Sequence, residues 1–270
     1  MATISSISPT QGSSGDVLTI TGTGLGNSTV TTKVNFGART VTPSTVTPTS
    51  VTVTVPPLCG GQYNVSVTAS GSTSNSRSFF YVGAPVCTFL SPAQGPETPT
   101  EAVTIIGTGL ATTTSVTFGA EAPVTTLTTV GDTTVVVTPP AHTVTGDTET
   151  VGVVVTTIGG DSVSNSSASQ YTYYNLPTVT SVSPSTGAAG ETGIVVNGTS
   201  FVDVSVVTFT NTVTPADTFD VPLEDIIGLG STQLVVPAPA GLTSGQVYHI
   251  TVTTPGGEST PVAADQYTVT

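Results

Sequence analysis

Short runs of this chain alternate apolar and polar side chains. Leu18, Ile20 and Gly22 share one face while Val17, Thr19 and Thr21 share the other. The pattern returns at Val34 and Phe36, at Val51, Val53 and Val55, at Tyr63, Val65 and Val67, and at Phe79 to Tyr81. A period of two buries one side of an extended segment and hydrates the other, so each run predicts a strand with one face against a core. Turn residues part the runs every ~8–12 positions. They include Gly12 and Gly15, Gly37, and Pro56-Pro57, where two missing backbone donors end the pairing. No stretch carries the 3.6-residue period of a helix, and the pattern predicts an all-β chain of sandwich type.

The first two runs belong to a unit that occurs three times. Residues 4–26 read ISSISPTQGSSGDVLTITGTGLG, residues 86–111 VCTFLSPAQGPETPTEAVTIIGTGLA, and residues 178–202 TVTSVSPSTGAAGETGIVVNGTSFV. The shared Gly-Thr or neighbouring pair places Gly22, Gly107 and Gly198 roughly 90 residues apart, the period of a whole small domain rather than of a solenoid. Three domains are predicted, at 1–83, 84–175 and 176–270, joined by Val82-Gly83-Ala84-Pro85 and Leu176-Pro177. The second copy follows the first closely: Val103, Ile105 and Leu110, then Val116 and Phe118 before Gly119, Val136 and Val137 before Pro139-Pro140, Val151, Val153 and Val155, and Tyr171 and Tyr173. The third keeps Ile194, Val196, Phe201, Val207 and Phe209. It places Ser200 where the others have Gly24 and Gly109, and Thr210 where they have glycine. Its segment 211–231 is longer and more acidic, and Leu223 to Ile227 predicts a single helical turn.

The order SISPTQG, LTITGTGLG, VNFG, VTVPP and YNVSV, closed by an aromatic strand, resembles the IPT/TIG family, and the likeness covers nearly the full chain three times over. That resemblance implies three tandem immunoglobulin-like β-sandwiches. The family occurs in receptor ectodomains, bacterial surface and phage proteins, polysaccharide-degrading enzymes and Rel-type transcription factors, so it speaks to fold more than to function.

Charge narrows the choice. Three Lys plus Arg (Lys33, Arg39, Arg77) face sixteen Asp plus Glu, for a net charge of −13. Nucleic acid binding needs cations to displace counterions from phosphate, and an anionic membrane surface needs them too, so both partner classes are excluded. No apolar run approaches the ~18 residues of a membrane helix. With only 7% charged side chains, hydration falls to Ser, Thr and Asn, which suits a protein standing outside a cell. The opening MATISSISPT has neither the basic nor the apolar region of a secretory signal peptide.

Candidate chemistry is sparse. His142, after Pro139-Pro140, is expected in an exposed loop, and His249, between Tyr248 and Ile250, is expected to face solvent. Neither has a partner at triad or metal-ligand spacing. Asp217, Asp220, Glu224 and Asp225 form the densest carboxylate group. Calcium accepts such oxygens, but the spacing fits no known loop and a solvated acidic segment is the favoured reading. Asp147 and Asp161 are expected only to solvate turns. Sequons stand at Asn27, Asn64, Asn165 and Asn197, and Lys33 is the chain's sole lysine for an isopeptide bond. Given the immunoglobulin-like fold, the turn holding Cys59 lies at the end where the next domain begins, beside Cys87. A Cys59–Cys87 disulfide across the first hinge is the expectation, set against two separate thiols, and the second hinge is then held by packing alone.

No cofactor and no catalytic group is predicted. Three sandwiches on short Pro-containing linkers make an elongated rod of about 100 Å. The first functional reading is a non-enzymatic structural or adhesion protein on a bacterial surface or a virion, partnered by itself or by a scaffold protein. The alternative is a carbohydrate-binding or accessory module of a polysaccharide-degrading system, with a glycan as partner. Sugar binding favours an exposed aromatic platform; the chain has no Trp, and Tyr174 and Tyr248 are the candidates.

Overall fold

The computed structural model describes residues 1–164, 166–228 and 230–270, and for Thr129 the backbone alone. Among the described residues six sheets pair into three sandwiches, and the helical elements are single 3-10 turns at Ser167–Ser169, Leu223–Asp225 and Ala263–Asp265. In the first sandwich one sheet has the order Thr3–Ser8, Val17–Thr23, Ser50–Thr54, Thr45–Val46. The other has Gln11–Gly12, Arg77–Tyr81, Gly61–Ala69, Thr32–Phe36, Arg39–Val41. The chain crosses from one sheet to the other at Ser8-Pro9, and the same crossing recurs at Ser91-Pro92 and Ser183-Pro184; all three bonds are cis. The third sandwich repeats this order from Thr178–Ser183; the second, from Val86–Ser91, does so except that a single bridge, Val116 to Val124, stands in the place of the edge strand Arg39–Val41.

The alternating runs supply the core as expected. Leu18, Ile20, Val34, Phe36, Val51, Val53, Val65, Val67 and Phe79 are fully buried in the first sandwich. Each core is crossed by the same edge-to-face aromatic pair: Phe36 with Phe79 at 5.8 Å, Phe118 with Tyr171 at 5.6 Å, and Phe209 with Tyr267 at 6.0 Å between ring centroids. Such geometry sets a positive ring edge against a negative face and adds about 0.5–1.5 kcal/mol to the area buried. One strand differs in phase from its expectation: Val135 and Val137 are the buried residues of Thr134–Val137, and Val136 faces outward.

The repeated glycine has a steric cause. Each opening strand pairs with the next through one bulge, between Ile4 and Ser6, Cys87 and Phe89, and Val179 and Ser181. Opposite each bulge stand Gly22, Gly107 and Gly198. The extra residue swings a carbonyl onto the glycine, so a β-carbon there would collide with the oxygen of Thr3, Val86 or Thr178. In the third sandwich the long acidic segment supplies the edge strand Thr218–Val221 beside Val206–Asn211, in the place that Arg39–Val41 holds in the first. Val221 is buried and Phe219 packs 6.2 Å from Tyr248, and the predicted helical turn is present at Leu223–Asp225. Ser200 holds the left-handed backbone of the glycines it replaces, with φ 57° against 66° at Gly24 and 71° at Gly109.

Candidate functional site

The two histidines are more enclosed than their sequence positions imply. His142 has only 13% of its side chain exposed, with its ring against Tyr173 at 4.7 Å between centroids. Nδ1 is 2.9 Å from Glu121 Oε1. Nε2 is 3.4 Å from Glu149 Oε2, an ion-pair distance without hydrogen-bond geometry. Its backbone N–H donates to the carbonyl of Glu97, whose carboxylate accepts from Val144 N–H. The loop is buried because three glutamates gather it in. The Glu121 hydrogen bond raises the His142 pKa above its ordinary 6.5; partial burial opposes the rise and Glu149 adds to it. A raised folded-state value means stabilisation in full below the unfolded pKa, lost as pH rises through the folded one. The second sandwich is therefore expected to lose on the order of 1 kcal/mol as pH climbs past 6.5, a small figure because both glutamates are solvated. His142→Gln should flatten that dependence in thermal melts taken from pH 5.5 to 8.5, and a variant that keeps the wild-type slope would show that His142 is not its source.

His249, expected to face solvent, gives Nδ1 to Asp265 Oδ1 at 2.5 Å. Asp265 has no exposed surface, and its second oxygen accepts from Val262 N–H at 2.7 Å. Among the described residues neither histidine is hydrogen-bonded to a hydroxyl or thiol.

The acidic segment does not converge. Asp217 accepts from Tyr248 Oη at 2.9 Å and Asn211 Nδ2 at 3.2 Å, Asp220 accepts from Thr208 at 2.8 Å, and Glu224 and Asp225 lie on the 3-10 turn. Among the described residues no three His, Cys, Asp or Glu side chains are arranged to hold a metal ion. The cysteines are separate. Cys87 points into the second core, where burial raises its thiol pKa against the lowering effect of Ser162, while Cys59 is an exposed free thiol. Lys33 Nζ donates to Thr42 Oγ1 at 2.8 Å, and Asn165 lies outside the described residues. Tyr174 and Tyr248, the candidate platforms, are both buried. The exposed aromatics are instead Phe80 and Phe89; strand alternation could have found Phe80, between buried Phe79 and Tyr81, but not Phe89, which the bulge after Cys87 turns outward.

The junctions invert the expectation drawn from the cysteines. At each, the turn glycine of the following sandwich, Gly159 or Gly256, abuts the linker carbonyl of Gly83 or Asn175 too closely for a side chain. The second junction adds side-chain ties. Tyr174 Oη donates to Asp203 Oδ2 at 2.5 Å, and Ser200 Oγ donates to Asp147 Oδ1 at 3.1 Å. Strand register puts Val82, Thr112, Gly109 and Cys59 at the corresponding places of the first junction, and Thr112 Oγ1 is buried there without a partner. Burial and the Asp203 carboxylate push the Tyr174 phenol up to about 12. Beside this tie, between the second and third sandwiches, opens a cleft of about 540 Å³. Its polar lining comes from Gln94, Thr100 and Glu101 on one side and Asp203, Ser205 and Thr254 on the other.

Cyclomaltodextrin glucanotransferase from Bacillus licheniformis is 41% identical over 83 residues, 30% of this chain and 11% of that enzyme. The enzyme of the same name from Niallia circulans is 39% identical over 83 residues, again 30% of this chain and 11% of the enzyme. The chain thus spans only a small part of the curated relatives it matches. Among solved structures, a protein crystallised with a xylogluco-oligosaccharide aligns with a TM-score of 0.44 at 22% identity, over 99% of this chain and 60% of that one. The plexin A4 extracellular region aligns with a TM-score of 0.40 at 16% identity, over 94% of this chain and 23% of that one. The IPT/TIG domain matches residues 2–81 and 85–173, well over half of the sequence and the extent of the first two sandwiches, and the chain belongs to the IPT/TIG family.

Proposed function

We propose that the chain is a non-catalytic, carbohydrate-associated module that works outside the cell. The observation that carries this reading is the 41% identity to Bacillus licheniformis cyclomaltodextrin glucanotransferase, over a stretch the size of one sandwich and 11% of that enzyme. Both histidines are engaged by carboxylates, which supports a binding rather than a catalytic role. A weakly charged surface of hydroxyl and amide side chains suits neutral polysaccharide, from which electrostatics would neither attract nor repel the chain. In native gels cast with soluble starch or with xyloglucan, the protein is expected to be retarded by at least one polymer. Unchanged mobility in both, at up to 1% polymer (about 10 mg per mL), would remove the support for this reading.

A structural role through self-association is the second reading, and one observation favours it. Phe89 and Ile106 face each other across two strands of the second sandwich, 55% and 39% exposed. The same place holds Ser6 with Thr21 in the first sandwich and Ser181 with Asn197 in the third. Sedimentation velocity on the same sample separates the two readings. Concentration-dependent growth abolished by Phe89→Ser favours assembly, and a constant monomer retarded by polysaccharide favours the carbohydrate module.

A further inference from the structure

We propose that the cleft between the second and third sandwiches is the binding site for a neutral oligosaccharide, an inference that rests on the carbohydrate reading above. Its volume of about 540 Å³ falls within the roughly 300–1,000 Å³ of small-ligand sites, and it lies at a domain interface, where such sites concentrate. Pro92, Pro96, Pro99 and Pro255 supply rigid apolar C–H surface, which suits the apolar faces of pyranose rings. Around them Gln94, Thr100, Ser205 and Thr254 offer donors and acceptors of the kind that match ring hydroxyls.

The carboxylates decide the ligand's charge. Glu101 and Asp203 accept strong hydrogen bonds from hydroxyl groups and repel phosphate, sulfate or uronate. No Lys or Arg follows Arg77 in the sequence, so an anionic ligand would find no counter-charge on either wall.

The cleft is also pre-formed. Tyr174 ties the second sandwich to Asp203 and Asp147 ties it to Ser200, so the two walls are held before a ligand arrives. Asp203 itself is held at φ 52°, in the left-handed region. Pre-organised walls reduce the ordering cost of binding. The first junction, with Val82, Thr112, Gly109 and Cys59 at the matching places, lacks these ties among the described residues, so the geometry assigns the site to the second.

Calorimetric titration of the full chain with maltoheptaose and with a xyloglucan heptasaccharide tests this. Glu101→Ala removes an acceptor and Ser205→Arg fills the cleft; both positions are exposed, so the fold should tolerate them. Each is expected to weaken binding roughly tenfold or more, as loss of a charge-assisted hydrogen bond would. Phe89→Ser, on the outer face of the second sandwich, should leave binding within about twofold, since it lies outside the cleft lining. Wild-type affinity in both cleft variants overturns the site while leaving the carbohydrate reading intact, the more so if Phe89→Ser abolishes binding. Absence of binding by the wild-type chain to either sugar overturns the reading and the site together.

Discussion

Gly107→Ala is expected to unfold the second sandwich under conditions that leave the first intact. The bulge between Cys87 and Phe89 directs the Val86 carbonyl at Gly107, and a β-carbon would overlap that oxygen and press on Cys87 Cα. Both neighbours are backbone, so relief requires the Val86–Ser91 strand to move off its partner. That strand carries Cys87 and Leu90 into the core, and the displacement would open the core as well. The cost is about 3 kcal/mol, the upper part of the range for overpacking. In a domain of this size that lowers the melting temperature by roughly 15 °C. Gly131→Ala is the control: its β-carbon would meet nothing nearer than Thr134 O at 3.7 Å, an ordinary contact. Melting of Gly107→Ala within two or three degrees (about 0.5 kcal/mol) of that control would show that the bulge yields and the glycine is not required.

This glycine shows how much the sequence can disclose. Its recurrence at Gly22, Gly107 and Gly198 marked the repeat, and alternating Val, Ile and Leu marked the strands, because both follow from local geometry. What local geometry does not contain stayed hidden. Tyr173 faces the core, so Tyr174 must point outward, and it is buried at the junction, where Asp203 accepts its hydroxyl and Gly256 packs on it from the next sandwich. His142 looked exposed after two prolines, but Glu97, Glu121 and Glu149, up to 45 positions away in sequence, enclose it. Tyr248 was legible and overlooked: it shares a strand face with buried Ile250 and Val252. The cysteines illustrate the opposite error, in which a plausible proximity in sequence carries no information about direction. Cys87 points into the core, as does Leu90 beyond the bulge, and so away from any exposed partner. The cleft could not be read at all, since its walls come from residues 92–101 and 203–257, and only the docking of two sandwiches brings them together.

His249→Phe is expected to destabilise the third sandwich by about 1–3 kcal/mol, the range for leaving a buried acceptor without its hydrogen-bond donor. Asp265 is wholly buried at the end of the 3-10 turn Ala263–Asp265, and its carboxylate has two donors, Val262 N–H and His249 Nδ1. Phenylalanine matches the ring in size but donates nothing, so one oxygen is left desolvated without a partner. The second sandwich indicates how the loss can be recovered. Ser169 closes the corresponding 3-10 turn, fully buried, and its hydroxyl bonds the carbonyl of Ser166, with no charge to satisfy. Combining His249→Phe with Asp265→Ser should therefore restore more than half of the lost stability, whereas two independent defects would add. Urea denaturation of the single and double variants reads this directly through the midpoint of the third sandwich's transition. Additive losses would show that the aspartate contributes by shape rather than by charge. Recovery would show that the histidine is present to satisfy a buried carboxylate that the other sandwiches do without.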